Sequence, residues 1–151
     1  MKPLGKNHKV LVIHGPNLNM LGKREPETYG METLDKINGD LQELGKNLGV
    51  QVTVFQSNFE GAIVEIIQKA FEENMDGIII NPAAYTHTSV AIKDALLMLS
   101  CPIIEVHLSN IYKREPFRHN SMVSDVVTGQ ITGLGSMGYK LALRAIVKLI
   151  P

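Results

Sequence analysis

The chain has 151 residues, with 15 Lys and Arg against 15 Asp and Glu, five His and one Cys. A hydrophobic share of 44% with 20% charged residues excludes a disordered chain, and the length suits one domain, residues 1–151, with its own core. No apolar run approaches the roughly 20 residues of a membrane span, zero net charge disfavours nucleic acid as a partner, and the lone Cys101 excludes an internal disulfide or a cysteine zinc cluster.

A reducing, cytoplasmic setting follows from that cysteine usage. Residues 1–8 read as an N-terminal tail, with neither the apolar stretch nor the cleavage site of a secretory signal. His8 in this tail, and His119 further on, read as surface residues.

In chain order, residues 9–14 (KVLVIH) form a β-branched strand that Gly15-Pro16 stops. From about Thr33, apolar residues at Leu34, Ile37, Leu41, Leu44 and Leu48 mark one face of a helix, with Gly49 as its stop. Residues 51–56 (QVTVFQ) are the second strand, and Ala62, Ile63, Ile66, Ile67, Ala70 and Phe71 give a second helical stripe. Residues 77–81 (GIIIN) form a continuous apolar run, as expected of a central parallel strand covered on both faces. A helix over 89–99 precedes the fourth strand, 102–107. A fifth strand falls within 125–132, and a closing helix spans 139–149. Alternation of strand and helix predicts a parallel α/β fold. With five strands the fold class is a flavodoxin-like three-layer sandwich with strand order 2-1-3-4-5.

Ligands in such folds bind beyond the carboxyl ends of the strands. Three loops there carry the chemistry: residues 15–30 after strand 1, 81–89 after strand 3, and 105–110 with Arg114 and Arg118 after strand 4. Each element also has a plain structural reading. Asn17 and Asn19 can cap a turn, and Thr86, Thr88 and Ser89 are good helix caps. Residues 17–30 make a long loop, which suits an active-site lid. Glu105 and His107 are two apart on one strand and face the same side. A carboxylate there fixes the imidazole tautomer and raises its pKa, as an acid catalyst requires. His14 has a structural reading at least as good as a functional one, and Cys101 reads as packing. No metal-ligand spacing is present. The glycines Gly133, Gly135 and Gly138 do not match a dinucleotide fingerprint. A flavin-binding module and a metal-assisted hydrolase are the competing classes on this fold. The absence of Trp weighs against the flavin module, and an inactive homologue is a third alternative.

The blocks HGPNLNMLGKREPETYG, QSNFEG, NPAAYTHTSVAIKDA and EVHLSNIYKREPFRHNS, in this order, resemble type II 3-dehydroquinate dehydratase over nearly the whole chain. The resemblance implies anti elimination of water from 3-dehydroquinate through an enolate, giving 3-dehydroshikimate in the shikimate pathway. It implies no metal, no cofactor and no Schiff base. Tyr29 matches the family's base and Arg24 the arginine beside it; a neighbouring cation favours the tyrosinate. Asn17 matches the residue that holds a water against the enolate oxygen, His107 the general acid, and Glu105 its orienting carboxylate. Asn81, His87, Leu108, Ser109 and Arg118 match substrate-binding positions. Asp94 matches a residue that reaches a neighbouring subunit's site, in a dodecamer built from trimers. Arg114 matches an arginine near the site with no defined role.

Overall fold

In the computed structural model, which describes residues 7–23, 25, 27 and 31–151, the first strand already sets out the layers. Along β1 (His8–His14), Val10 and Val12 enter one apolar cluster while Leu11 and Ile13 enter another. Successive side chains on a strand point to opposite faces, and both faces here are covered, so the whole run is apolar. β2 (Val50–Gln56), β3 (Gly77–Asn81), β4 (Ile103–His107) and β5 (Gly129–Thr132) complete a sheet of order β2-β1-β3-β4-β5. Every neighbouring pair is parallel. This is the flavodoxin-like order expected.

Helices α1 (Leu34–Leu48) and α4 (Met137–Leu149) cover the face of Val10, Val12, Ile79 and Val106. Helices α2 (Glu60–Glu72) and α3 (Val90–Leu96) cover the face of Leu11, Ile13, Ile78 and Ile80. The limits of α1 follow from its end residues. Thr33 Oγ1 accepts from the Lys36 N–H at 3.2 Å, and Gly49 closes the helix at φ 78°, a left-handed conformation that glycine adopts without cost. Its buried face, Leu34, Ile37 and Leu41, lies on the sheet. Truncating the fully buried Leu41 to Ala is worth about 2–5 kcal/mol.

Two local expectations need correction, and a third is sharpened. The fifth strand lies within the expected 125–132, at Gly129–Thr132. Upstream, the N–H groups of Val126 and Val127 both bond back to the Val123 carbonyl in a turn, so this β-branched pair makes no ladder. α3 ends at Leu96, after which Met98 and Leu99 bond back three residues, the tighter turn common at helix ends. His8 is not a surface residue. It opens β1 and is buried, with Nδ1 3.6 Å from the Asp76 carboxylate. No helix among the described residues is long and apolar enough to cross a membrane.

Candidate active site

β1, β3 and β4 end side by side, and β1 and β3 flank the point where the chain reverses its direction across the sheet. Connections leaving such a point splay apart and open a crevice. Here it is a cavity of about 160 Å³ lined by Asn17, Asn81, His87, His107, Ser109 and Arg118, with Leu18, Leu108 and Arg114 among its other walls.

The β1 loop is held tightly at its base. Gly15 donates its N–H to the Asn81 carbonyl at 2.8 Å, and a Cβ at Gly15 would fall 2.4 Å from the Pro82 oxygen. Only glycine permits that approach. Asn17 follows at φ 69°, a conformation asparagine tolerates better than most residues. Its N–H donates to Asn58 Oδ1 at 2.9 Å, and Gln56 Nε2 donates to the same oxygen at 3.2 Å. Asn58, held by Gln56 at the end of β2, therefore sets the position of Asn17 from outside the cavity. Leu18 and Leu21 anchor the following turn in the core.

From β3, Asn81 enters nearly buried, and its Oδ1 accepts from the Ala83 N–H at 3.1 Å. The short 3-10 helix Ala83–His87 then carries His87, which is half-buried. His87 Nδ1 donates to the Asn120 carbonyl at 2.9 Å, since a carbonyl only accepts, and this leaves Nε2 with its lone pair. Burial, together with His107 and Arg118 nearby, holds His87 below the ordinary histidine range despite that bond.

β4 supplies the charged pair. Glu105 is fully buried, and His107 is 5% exposed at the cavity. His107 Nε2–H donates to Glu105 Oε2 at 2.5 Å, Ser121 Oγ donates to the same oxygen at 3.0 Å, and Gln130 Nε2 donates to Oε1 at 2.9 Å. Burial pushes the Glu105 carboxyl up, but the bonds from His107, Gln130 and Ser121 outweigh it and hold it below the usual range. An ionised carboxylate only accepts, so Nε2 keeps its hydrogen and Nδ1 is the ring nitrogen not engaged by Glu105. Beyond the strand, Arg114 Nη1 donates to Ser109 Oγ at 3.3 Å. Arg118 Nε donates to Glu115 at 3.0 Å, with its guanidinium 5.0 Å from the Phe117 ring centroid.

Asn17, Asn81, His87, His107, Leu108, Ser109 and Arg118, all singled out from sequence, thus meet at one cavity. Glu105 stands behind His107 and orients it. Asp94 does not line the cavity; it is exposed on α3. Tyr29 and Arg24 lie outside the described residues. Sequence reasoning missed Ser121 and Gln130. The signal for Gln130 is a polar residue inside a strand that borders a buried Glu, visible only once the sheet order is known. Among the described residues, no group of three His, Cys, Asp or Glu is placed to hold a metal ion.

A doubly wound sheet with a histidine–carboxylate pair on β4, facing a small polar cavity beside the switch point, is the architecture of a flavodoxin-like enzyme. The family model for dehydroquinase class II matches residues 8–147. The 3-dehydroquinate dehydratase of Bordetella avium is 59% identical over 139 residues, covering 92% of this chain and 96% of that one. That of Roseiflexus castenholzii is 61% identical over 135 residues, covering 89% and 85%. The crystal structure of the type II dehydroquinase from Butyrivibrio crossotus superposes with a TM-score of 0.92 at 48% identity, covering 94% of this chain and 99% of that one. The chain belongs to the class II dehydroquinases.

Proposed function

We propose that this cavity is where 3-dehydroquinate loses water, by anti elimination through an enolate, to give 3-dehydroshikimate. The protein is a hydro-lyase of the shikimate pathway. The observation that carries the site assignment is the His107–Glu105 pair, with Asn17, Ser109 and Arg118 lining the cavity beside it.

In this reading Tyr29, as the tyrosinate beside Arg24, takes the proton from C2, and the C–H electrons move into the enolate. Asn17 holds a water against the developing oxygen charge, which a fixed donor stabilises without reorganisation. When the enolate collapses, the C1–O bond breaks and the departing hydroxyl takes a proton from His107 Nδ1. Nε2–H stays on Glu105 throughout. Glu105 therefore fixes the ring and compensates the imidazolium charge before the transfer. The proton now on Tyr29 returns to His107 through solvent, which closes the cycle with one water released.

Ser109 and the backbone at Leu108 take the substrate carboxylate, with Arg114 turned onto the Ser109 hydroxyl. Asn81, His87 and Arg118 take the ring hydroxyls. We read residues 17–30, which lie partly outside the described residues, as the lid, with Leu18 and Leu21 as its anchor. Asp94, exposed on α3, faces a neighbouring subunit in a dodecamer built from trimers, and the enzyme works in the cytoplasm without metal or cofactor.

The test is ultraviolet absorbance after adding the purified protein to 3-dehydroquinate with a chelator present. A rise from the conjugated enone is expected. No rise from folded protein would overturn the assignment, and a rise abolished only by the chelator would overturn the metal-free route.

A further inference from the structure

Beneath the cavity floor runs a chain of buried polar groups to which the reaction assigns no role. Asn81 Nδ2 lies 3.1 Å from the Tyr139 hydroxyl, which lies 2.9 Å from His14 Nδ1, while His14 Nε2 lies 2.8 Å from Asn38 Oδ1. Tyr139 and His14 are both 0% exposed and Asn81 is 3% exposed. The chain links β3, α4, β1 and α1, four elements brought together by the fold and by nothing local.

Its polarity follows from one end. The Ala83 N–H can only donate, so the Asn81 atom facing it at 3.1 Å is the carbonyl oxygen, and the amide nitrogen faces Tyr139. The Tyr139 oxygen therefore accepts from Asn81, and its own hydrogen must go to His14 Nδ1. His14 is then the Nε2–H tautomer, which donates to Asn38 Oδ1. Every donor finds an acceptor in this direction. Reversing any one link would set two donors or two acceptors face to face. Burial alone holds His14 down near 4, so the ring stays neutral as this direction demands, and burial likewise pushes the Tyr139 phenol well up.

With its oxygen given to Ala83 and one amide hydrogen to Tyr139, Asn81 has one N–H left for the cavity it lines. We propose that Tyr139, His14 and Asn38 are positioning residues that lock the Asn81 carboxamide, so that Asn81 meets the substrate as an N–H donor to a ring hydroxyl oxygen. Amide orientation is otherwise degenerate, since a half-turn exchanges donor and acceptor at little cost. The inference rests on the reading of this cavity as the substrate site.

The experiment is a double-mutant cycle of Tyr139→Phe and Asn81→Ala, read in KM and kcat with folding checked by thermal unfolding. Tyr139→Phe should raise KM by about tenfold with kcat within about twofold, the pattern of lost ground-state binding. In the Asn81→Ala background the same substitution should leave KM unchanged, because nothing remains to be oriented. An equal KM effect in both backgrounds, or none in either, would overturn the positioning role. If instead Asn81→Ala alone leaves KM unchanged, the substrate contact of Asn81 is wrong and the site reading is what fails. Should Tyr139→Phe not fold, the ring 15N shifts of His14 in wild-type protein, assigned by their loss in His14→Asn, decide. Nε2–H with bare Nδ1 supports the chain's direction, and Nδ1–H overturns it.

Discussion

His14 makes the stability of this protein depend on pH in a window where few other groups act. In the native state its ring is buried between Tyr139 and Asn38 and titrates near 4, whereas a free histidine titrates near 6.5. Between those values the unfolded chain binds a proton that the native state refuses, so stability falls as pH falls. Above about 6.5 neither state is protonated and no penalty remains. The loss approaches about 1.4 kcal/mol per pH unit within the window and about 3 kcal/mol by pH 4. His87, also held low by burial, adds a smaller loss of the same sign. The assay is urea unfolding at several pH values from 7.5 to 4.5, at fixed protein concentration, for wild type and His14→Gln. Replacing the ring removes its proton but leaves His87 in place, so the wild-type curve should be steeper by nearly one proton. Parallel curves for the two proteins would refute the reasoning, because they would mean that native His14 titrates freely.

Other outcomes follow from the site and the fold. Glu105→Gln should lower kcat by about 100-fold with little change in KM, since the imidazolium loses its compensating charge but the ring keeps a partner; steady-state enone absorbance checks it. Tyr29→Phe should abolish turnover while substrate still binds, measured calorimetrically, and wild-type turnover would sink the base assignment. Gly15→Ala should cost about 2 kcal/mol or more, because its Cβ meets the Pro82 oxygen at 2.4 Å. Gly61→Ala in α2, with nothing within 4 Å, should be neutral or slightly stabilising; a thermal melt of each compares the two.

Periodicity carried most of the fold. The steps of Leu34, Ile37 and Leu41 mark the buried face of α1, and Thr33 and Gly49 mark its ends. GIIIN is β3 without adjustment. Residues 121–127 were not legible in this way, because Ser121 organises a turn around the Glu105 carboxylate, and that contact depends on a residue 16 positions away. The cavity lining was legible for a different reason. Parallel topology sends every strand's C-terminal loop to one edge, so reading the three chemically rich loops amounted to reading the site. The buried chain from Asn81 to Asn38 was hidden, since His14 and Tyr139 are 125 residues apart and neither sits in a pattern that foretells the other.

The three-way grip on Glu105 has a consequence for how the molecule comes into being. All three of its donors follow it in the chain, and the most distant, Gln130, belongs to the last strand laid on the sheet. Until β5 docks, the buried carboxylate lacks its Gln130 donor, a loss of about 1–3 kcal/mol. β4 therefore gains less by settling early, and intermediates that lack the edge strand are disfavoured. During synthesis the Glu105–His107 pair is short of that donor while residue 130 is still in the ribosome. Completion of the sheet and completion of the Glu105 hydrogen-bond set are then one event.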